Sequence, residues 1–149
     1  MITKEDIIKI QEKIMRYRGV VVHDFINIES MIGSIISIYF AKDNKNNEFN
    51  RKVIDDEYFS FGLKVKILEK LKFKVYKTFF EDTRRIGNIR NLFSHQVPTL
   101  EEGFFIYNAD KESSNHIKMA ELYKEFRDKY SKIDEQLNII FNELVNIKK

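Results

Sequence analysis

The chain has no cysteine, a single proline and only five glycines in 149 residues. Without cysteine there can be no disulfide, no thiol nucleophile and no cysteine-ligated zinc or iron–sulfur site, and the composition is that expected of a cytoplasmic protein. There is also no glycine-rich phosphate loop and no serine in a nucleophile-elbow setting. No charged-then-apolar leader precedes a small-residue cleavage site, so no signal peptide is expected. The most apolar stretch, residues 20–40, is interrupted by His23, Asp24, Asn27 and Glu29. Those groups are costly in lipid, so no membrane span is expected. No solid basic run occurs either. Twenty-six Lys and Arg face 23 Asp and Glu, and the net charge of +3 is only a weak pointer to a polyanionic partner. The wealth of Lys, Ile, Asn and Phe is what an A+T-rich genome would encode, so the lysines alone do not argue for nucleic acid. His23 and Asp24 are adjacent rather than one turn apart, and His116 stands alone, so neither a metal site nor a cofactor is expected.

What is present is helical periodicity. With 43% hydrophobic and 33% charged residues, the chain has the make-up of one globular domain over residues 1–149. Thr3 is placed to cap a first helix, with Glu5 and Asp6 in its first turn and Ile2 able to pack onto Ile7. Ile7, Ile10, Ile14 and Tyr17 carry that helix to about Arg18, and Gly19 suggests a break. A second helix over residues 20–41 shows Val21, Phe25, Ile28, Ile32, Ile35 and Tyr39 on one stripe. Its other side carries Asn27, Ser30, Ser34 and Ser37, a face that either receives another helix closely or is wet. Residues 42–56 are polar and without helical period, which reads as a long loop. A third helix starts between Asp56 and Ser60 and reaches about Val75. A fourth starts near Phe79 and ends before Pro98, because proline restrains the residue ahead of it. Phe104, Phe105, Ile106 and Tyr107 are strand-like and residues 116–119 could return, so a small hairpin-like insertion around 103–119 is expected, with irregular loop as the alternative. The final helix is marked by Met119, Leu122, Phe126, Tyr130, Ile133, Leu137, Ile140, Leu144 and Ile147. About five helices with short connections make an all-α, antiparallel up-and-down bundle.

The fourth helix holds the candidate chemistry. Arg84, Asn88, Asn91 and His95 recur at i, i+4, i+7 and i+11, one polar face, with Ile86, Ile89 and Phe93 opposite. Arg90 lies off that face: five residues separate it from His95, about 140° around the axis. The run Arg90-Asn91-Leu92-Phe93-Ser94-His95 resembles the Arg-Asn-x-x-x-His signature of HEPN domains, small helical bundles of toxin, phage-defence and RNA-processing proteins. Ile89-Arg90-Asn91-x-Phe93-Ser94-His95 also resembles the mannitol-operon repressor branch. The resemblance extends over residues 20–107, through Phe-x-x-Ile-Glu in the second helix and Ser60-Phe61-x-x-Lys64 at the start of the third.

The resemblance implies a homodimer in which two motifs meet in one composite site that cleaves RNA without metal. Arg90 would hold the scissile phosphate, His95 would act as general acid or base, and Asn91 would orient either. Guanidinium and imidazole suit those roles, one as a bidentate fork and the other as a group titrating near neutral pH. Arg84, Arg85 and Asn88 are the candidate further RNA contacts. Small surfaces at Gly87 and along Ser30, Ser34 and Ser37 are where a second copy would approach. Many HEPN toxins have tyrosine two residues after the histidine, where this chain has Val97. The alternative is therefore a non-catalytic dimeric regulator or adaptor of the mannitol-repressor-like type. For either reading the expected protein partner is an antitoxin or a regulatory protein. The structural alternative pairs Arg90 with a carboxylate such as Glu29 or Asp82 and uses His95 to cap the helix. It makes His23 an interior or interface histidine and His116 a surface one.

Overall fold

A single helix, α1 (Lys4–Phe40), runs through the whole domain in the computed structural model, which describes residues 3–41, 46–101, 104–108 and 116–147. At 1.5 Å per residue it is about 55 Å long. Its start is a complete capping box: the Asp6 N–H donates to Thr3 Oγ1 at 3.1 Å, and the Thr3 N–H donates to Asp6 at 2.9 Å. The Thr3 hydroxyl, which donates to the Asp6 carboxylate at 2.6 Å, and the Thr3 N–H together hold this exposed carboxyl below its usual pKa. The expected break at Gly19 does not occur. A lone glycine costs a helix only about 1 kcal/mol relative to alanine, and here both flanks are anchored, by Tyr17 stacked on Tyr123 and by Val21 in the core. By length and hydropathy α1 could cross a membrane, yet Val21, Phe25, Ile28, Ile32, Ile35 and Ile36 are core residues of the bundle. Each such burial is worth roughly 1.5–3 kcal/mol against exposure.

The long loop expected over 42–56 is corrected from residue 46 onward, residues 42–45 lying outside the described residues. A short helix α2 (Asn46–Phe49) passes into a π-helical turn (Asn50–Ile54), in which the Asp55 N–H donates to the Asn50 carbonyl at 2.9 Å. Ile54 anchors that turn on α1 and is fully buried, so close to Gly33 that a Cβ there would lie 2.7 Å from its Cγ2. Ser60 then caps α3 (Phe61–Lys70) by accepting from the Leu63 N–H at 3.3 Å. This helix stops short of Val75 because Lys72 takes a left-handed φ of 57°. Leu71, Phe73 and Val75 stay half-buried with exposed lysines between them, so the apolar residues continue with the period of a strand.

Helix α4 (Phe79–His95) is followed by three short strands, β1 (Thr99–Glu101), β2 (Phe104–Asn108) and β3 (His116–Lys118), and by α5 (Met119–Ile147). The strands form an antiparallel meander with Leu100 opposite Phe105 and Tyr107 opposite Ile117. The expected hairpin is thus β2–β3, with β1 as a third strand. The turn-like run 109–115, Ile2, and the side chains of Phe104, Ile106 and His116 lie outside the described residues. Tyr107 is fully buried with its ring 5.0 Å from that of Phe93, a core residue fastening the sheet to α4.

The helices form an all-α bundle around one core. Phe25–Phe61 and Glu29–Lys64 set α3 parallel to α1. Arg85–Glu125 and Asp82–Lys129 set α4 antiparallel to α5. Tyr17–Tyr123 and Asp24–Arg127 set α5 parallel to α1. Direction therefore alternates from α3 onward, while the 41–60 connection returns the chain to begin α3 in the direction of α1.

Candidate functional site

Packing fixes one side of α4 and leaves the other to chemistry. Phe79, Ile86, Ile89 and Phe93 are buried with no exposed surface, and Arg84, Asn88, Asn91 and His95 are all exposed, as the period requires. Between the start of α3 and this outer face lies a cleft of about 460 Å³, lined by Ser60, Phe61, Gly62, Val65, Arg84, Gly87, Asn88, Arg90 and Asn91. No carboxylate is among them. Gly87 sets the closeness of the two helices, since a Cβ on it would lie 3.0 Å from the Phe61 ring.

Arg90 enters the cleft from its edge. Its guanidinium carbon lies 4.3 Å from the centroid of the Phe25 ring, a cation–π contact, and its Nε is buried without an acceptor. The expected pairing with Glu29 or Asp82 does not form. Glu29 accepts from Lys64 at 2.9 Å, and Asp82 accepts from Lys129 at 2.5 Å and from Thr78 at 3.0 Å. Among the described residues, Arg18, Arg85, Arg90 and Arg127 are the half-buried arginines. Three have oxygen partners: Arg18 two carbonyls, Arg85 Glu125, Arg127 Asp24. Arg90 has an aromatic ring.

His95 is exposed at the last turn of α4 and is not part of the cleft wall. Its expected capping role belongs to another residue. Arg18, reaching from α1, donates to the Phe93 carbonyl at 2.7 Å and to the Gln96 carbonyl at 3.1 Å, two oxygens at the end of α4. Nothing local in the sequence marks Arg18 for this, because its partners are 75 and 78 residues away. The imidazole is left on the surface.

The structure separates Arg85 from the other expected RNA contacts. It faces α5 and donates to both oxygens of Glu125, at 2.7 and 3.0 Å. The hydrogen bonds from Arg85 hold Glu125 below the usual carboxylate range, and the Glu125 bond raises Arg85. Beside them burial opposes ionisation of Asp82, but the bonds from Lys129 and Thr78 outweigh it and keep this carboxyl low as well. Burial raises the Tyr76 hydroxyl, and the Asp82 charge raises it further.

Two of the expected contact surfaces are filled within the chain itself. Gly87 is buried against Phe61 and Phe25, and Ser37 is buried and donates to Asn50 Oδ1 at 3.0 Å. Ser30 and Ser34 line a hollow under the π-helical turn. His23, expected in the interior or at an interface, is not interior: it is exposed with Nδ1 3.2 Å from Asp24. Among the described residues no cluster of His, Cys, Asp and Glu could hold a metal ion. No family model matches the chain, and no curated protein or solved structure matches it either.

Proposed function

We propose that the protein is a HEPN-like, cytoplasmic endoribonuclease that works without metal as a homodimer, in a toxin–antitoxin or phage-defence setting. The observation that carries this reading is the state of Arg90: a half-buried cation held by an aromatic ring, with no carboxylate partner among the described residues, in a cleft whose lining residues include no Asp or Glu. It stands where the Arg-Asn-x-x-x-His resemblance assigns the phosphate-holding residue. In the reaction, the ribose 2′-oxygen attacks phosphorus, the 2′-O–P bond forms and the P–5′-O bond breaks, giving a 2′,3′-cyclic phosphate and a 5′-hydroxyl. His95 takes the 2′-hydroxyl proton or delivers one to the 5′-oxygen. Arg90 balances charge on the non-bridging oxygens, and Asn91 positions the phosphate.

Because His95 is outside the cleft of its own chain, the site is completed by a second copy. The surface for that copy is the first half of α1, where Ile7, Ile8 and Met15 are 48, 46 and 64% exposed. The arm also carries charges of both signs, Lys4, Glu5 and Asp6 at its start and Glu12, Lys13 and Arg16 further on. A two-fold axis would set one such face against its copy.

The test is RNA cleavage in excess chelator. Arg90→Ala and His95→Ala should each abolish it while circular dichroism and the melting curve keep their shape. Undiminished cleavage by either variant overturns the assignment. The regulator or adaptor reading is favoured by Val97, 79% exposed two residues after His95, and it requires that the wild-type dimer cleave nothing.

A further inference from the structure

We infer that the α3–α4 cleft holds a second phosphodiester group of single-stranded RNA, next to the one at Arg90, between Arg84 and the first amides of α3; that the ligand is a strand rests on the nuclease reading above. Arg84 and Arg90 are six residues apart on α4, about 9 Å along its axis, so the cleft has two cationic stations rather than one. Asn88 lines the wall between them. Among the described residues Arg84 is joined only to Glu69, at 2.5 Å, and both side chains are 47% exposed. A surface pair of this kind is worth little and yields readily to a phosphate.

The opposite wall is the beginning of a ten-residue helix. Ser60 Oγ takes the Leu63 N–H, and among the described residues no acceptor meets the N–H of Phe61 or Gly62. Donors at a helix N-terminus favour an anion. What makes this wall more than a bare helix end is the cleft it lines together with Arg84, Asn88 and Arg90, the last with no carboxylate partner among the described residues. At Gly62 the backbone is open, since a Cβ there would meet nothing closer than Ser60 Oγ at 4.0 Å. An anion therefore approaches the amides without a side chain in its way.

The experiment uses the full chain carrying His95→Ala, so that a bound strand is not cut, and follows the anisotropy of a short fluorescein-labelled oligouridylate. Adding Gly62→Asp sets a carboxylate in the cleft at a first-turn position where the helix dipole welcomes it, so folding is retained. Affinity should fall by about tenfold or more. Arg84→Gln should weaken binding and flatten the slope of log affinity against log salt by about 0.7, one phosphate contact of a single strand. Lys132→Gln, which removes the same unit of charge from the surface of α5, should leave affinity within about twofold. The inference is overturned if the His95→Ala protein does not bind, if Gly62→Asp and Arg84→Gln bind normally, or if Lys132→Gln weakens binding as much as they do. If the His95→Ala protein binds in this pattern but the wild type cuts no RNA, the nuclease reading falls and the phosphate site stands.

Discussion

Arg85 and Arg90 sit five residues apart on one helix and have opposite fates. Arg85 meets Glu125 and its charge is spent on joining α4 to α5, whereas Arg90 meets Phe25 and keeps its charge. Helical phase makes Arg84, Asn88, Asn91 and His95 legible as an outer face, but it does not show which arginine finds a carboxylate. That depends on α5, 40 residues further along the chain. Arg18 was hidden for the same reason. Truncating it removes hydrogen bonds from a charged donor to the Phe93 and Gln96 carbonyls, and Arg18→Ala should cost about 2 kcal/mol in urea denaturation; an unchanged midpoint would mean the bonds are idle. Asp82 and Glu125 also set a pH dependence. Both carboxyls lie below their ordinary values of 3.8 and 4.5 in the folded protein. Their stabilisation is therefore complete above those values and is lost as pH falls through the lower folded ones. The denaturation midpoint should hold from neutrality to about pH 4.5 and then decline. Asp82→Asn should lower the midpoint at neutral pH and make the acid decline shallower. A decline of unchanged steepness would exclude Asp82 as a source.

At the scale of elements, glycine is the instructive residue. Local propensity marks Gly19 as a break, but the tertiary anchors on either side override it, and nothing lies within 4 Å of a Cβ built there. Gly19→Ala should accordingly stabilise the protein by about 0.5–1 kcal/mol. Gly33→Ala should destabilise it by about 1–3 kcal/mol, because its Cβ would press on Ile54. Thermal denaturation of both variants checks the continuous helix and the packed π-helical turn together. The same two effects reversed in sign would restore the break and the loose loop. Long amphipathic segments such as α4 and α5 are readable because many residues repeat one message. The 46–56 region is not, because among its described residues Ile54 is the fully buried apolar anchor of a polar turn. In α3 the apolar pattern continues past Lys70 while the backbone leaves the helix at Lys72.

At the scale of the molecule, the cleft and the histidine are parts that one chain does not bring together. The bundle was legible from its periods. The contact surfaces were not, because Gly87 and Ser37 read as open small surfaces and are filled by Phe61 and by Asn50 of the same chain. The proposed dimer therefore uses the arm of α1. Ile8→Glu with Met15→Glu should yield a monomer in light scattering and abolish cleavage without unfolding the core, and a dimer that persists would remove the arm from the interface. The most direct test of the composite site is RNA cleavage, in chelator, by an equimolar mixture of Arg90→Ala and His95→Ala subunits exchanged through mild denaturant. Each variant alone should be inactive, and the mixture should regain cleavage, since mixed dimers pair an intact Arg90 on one chain with an intact His95 on the other. A mixture as inactive as its components, beside an active wild type, would contradict the account and place the two residues in a site within one chain.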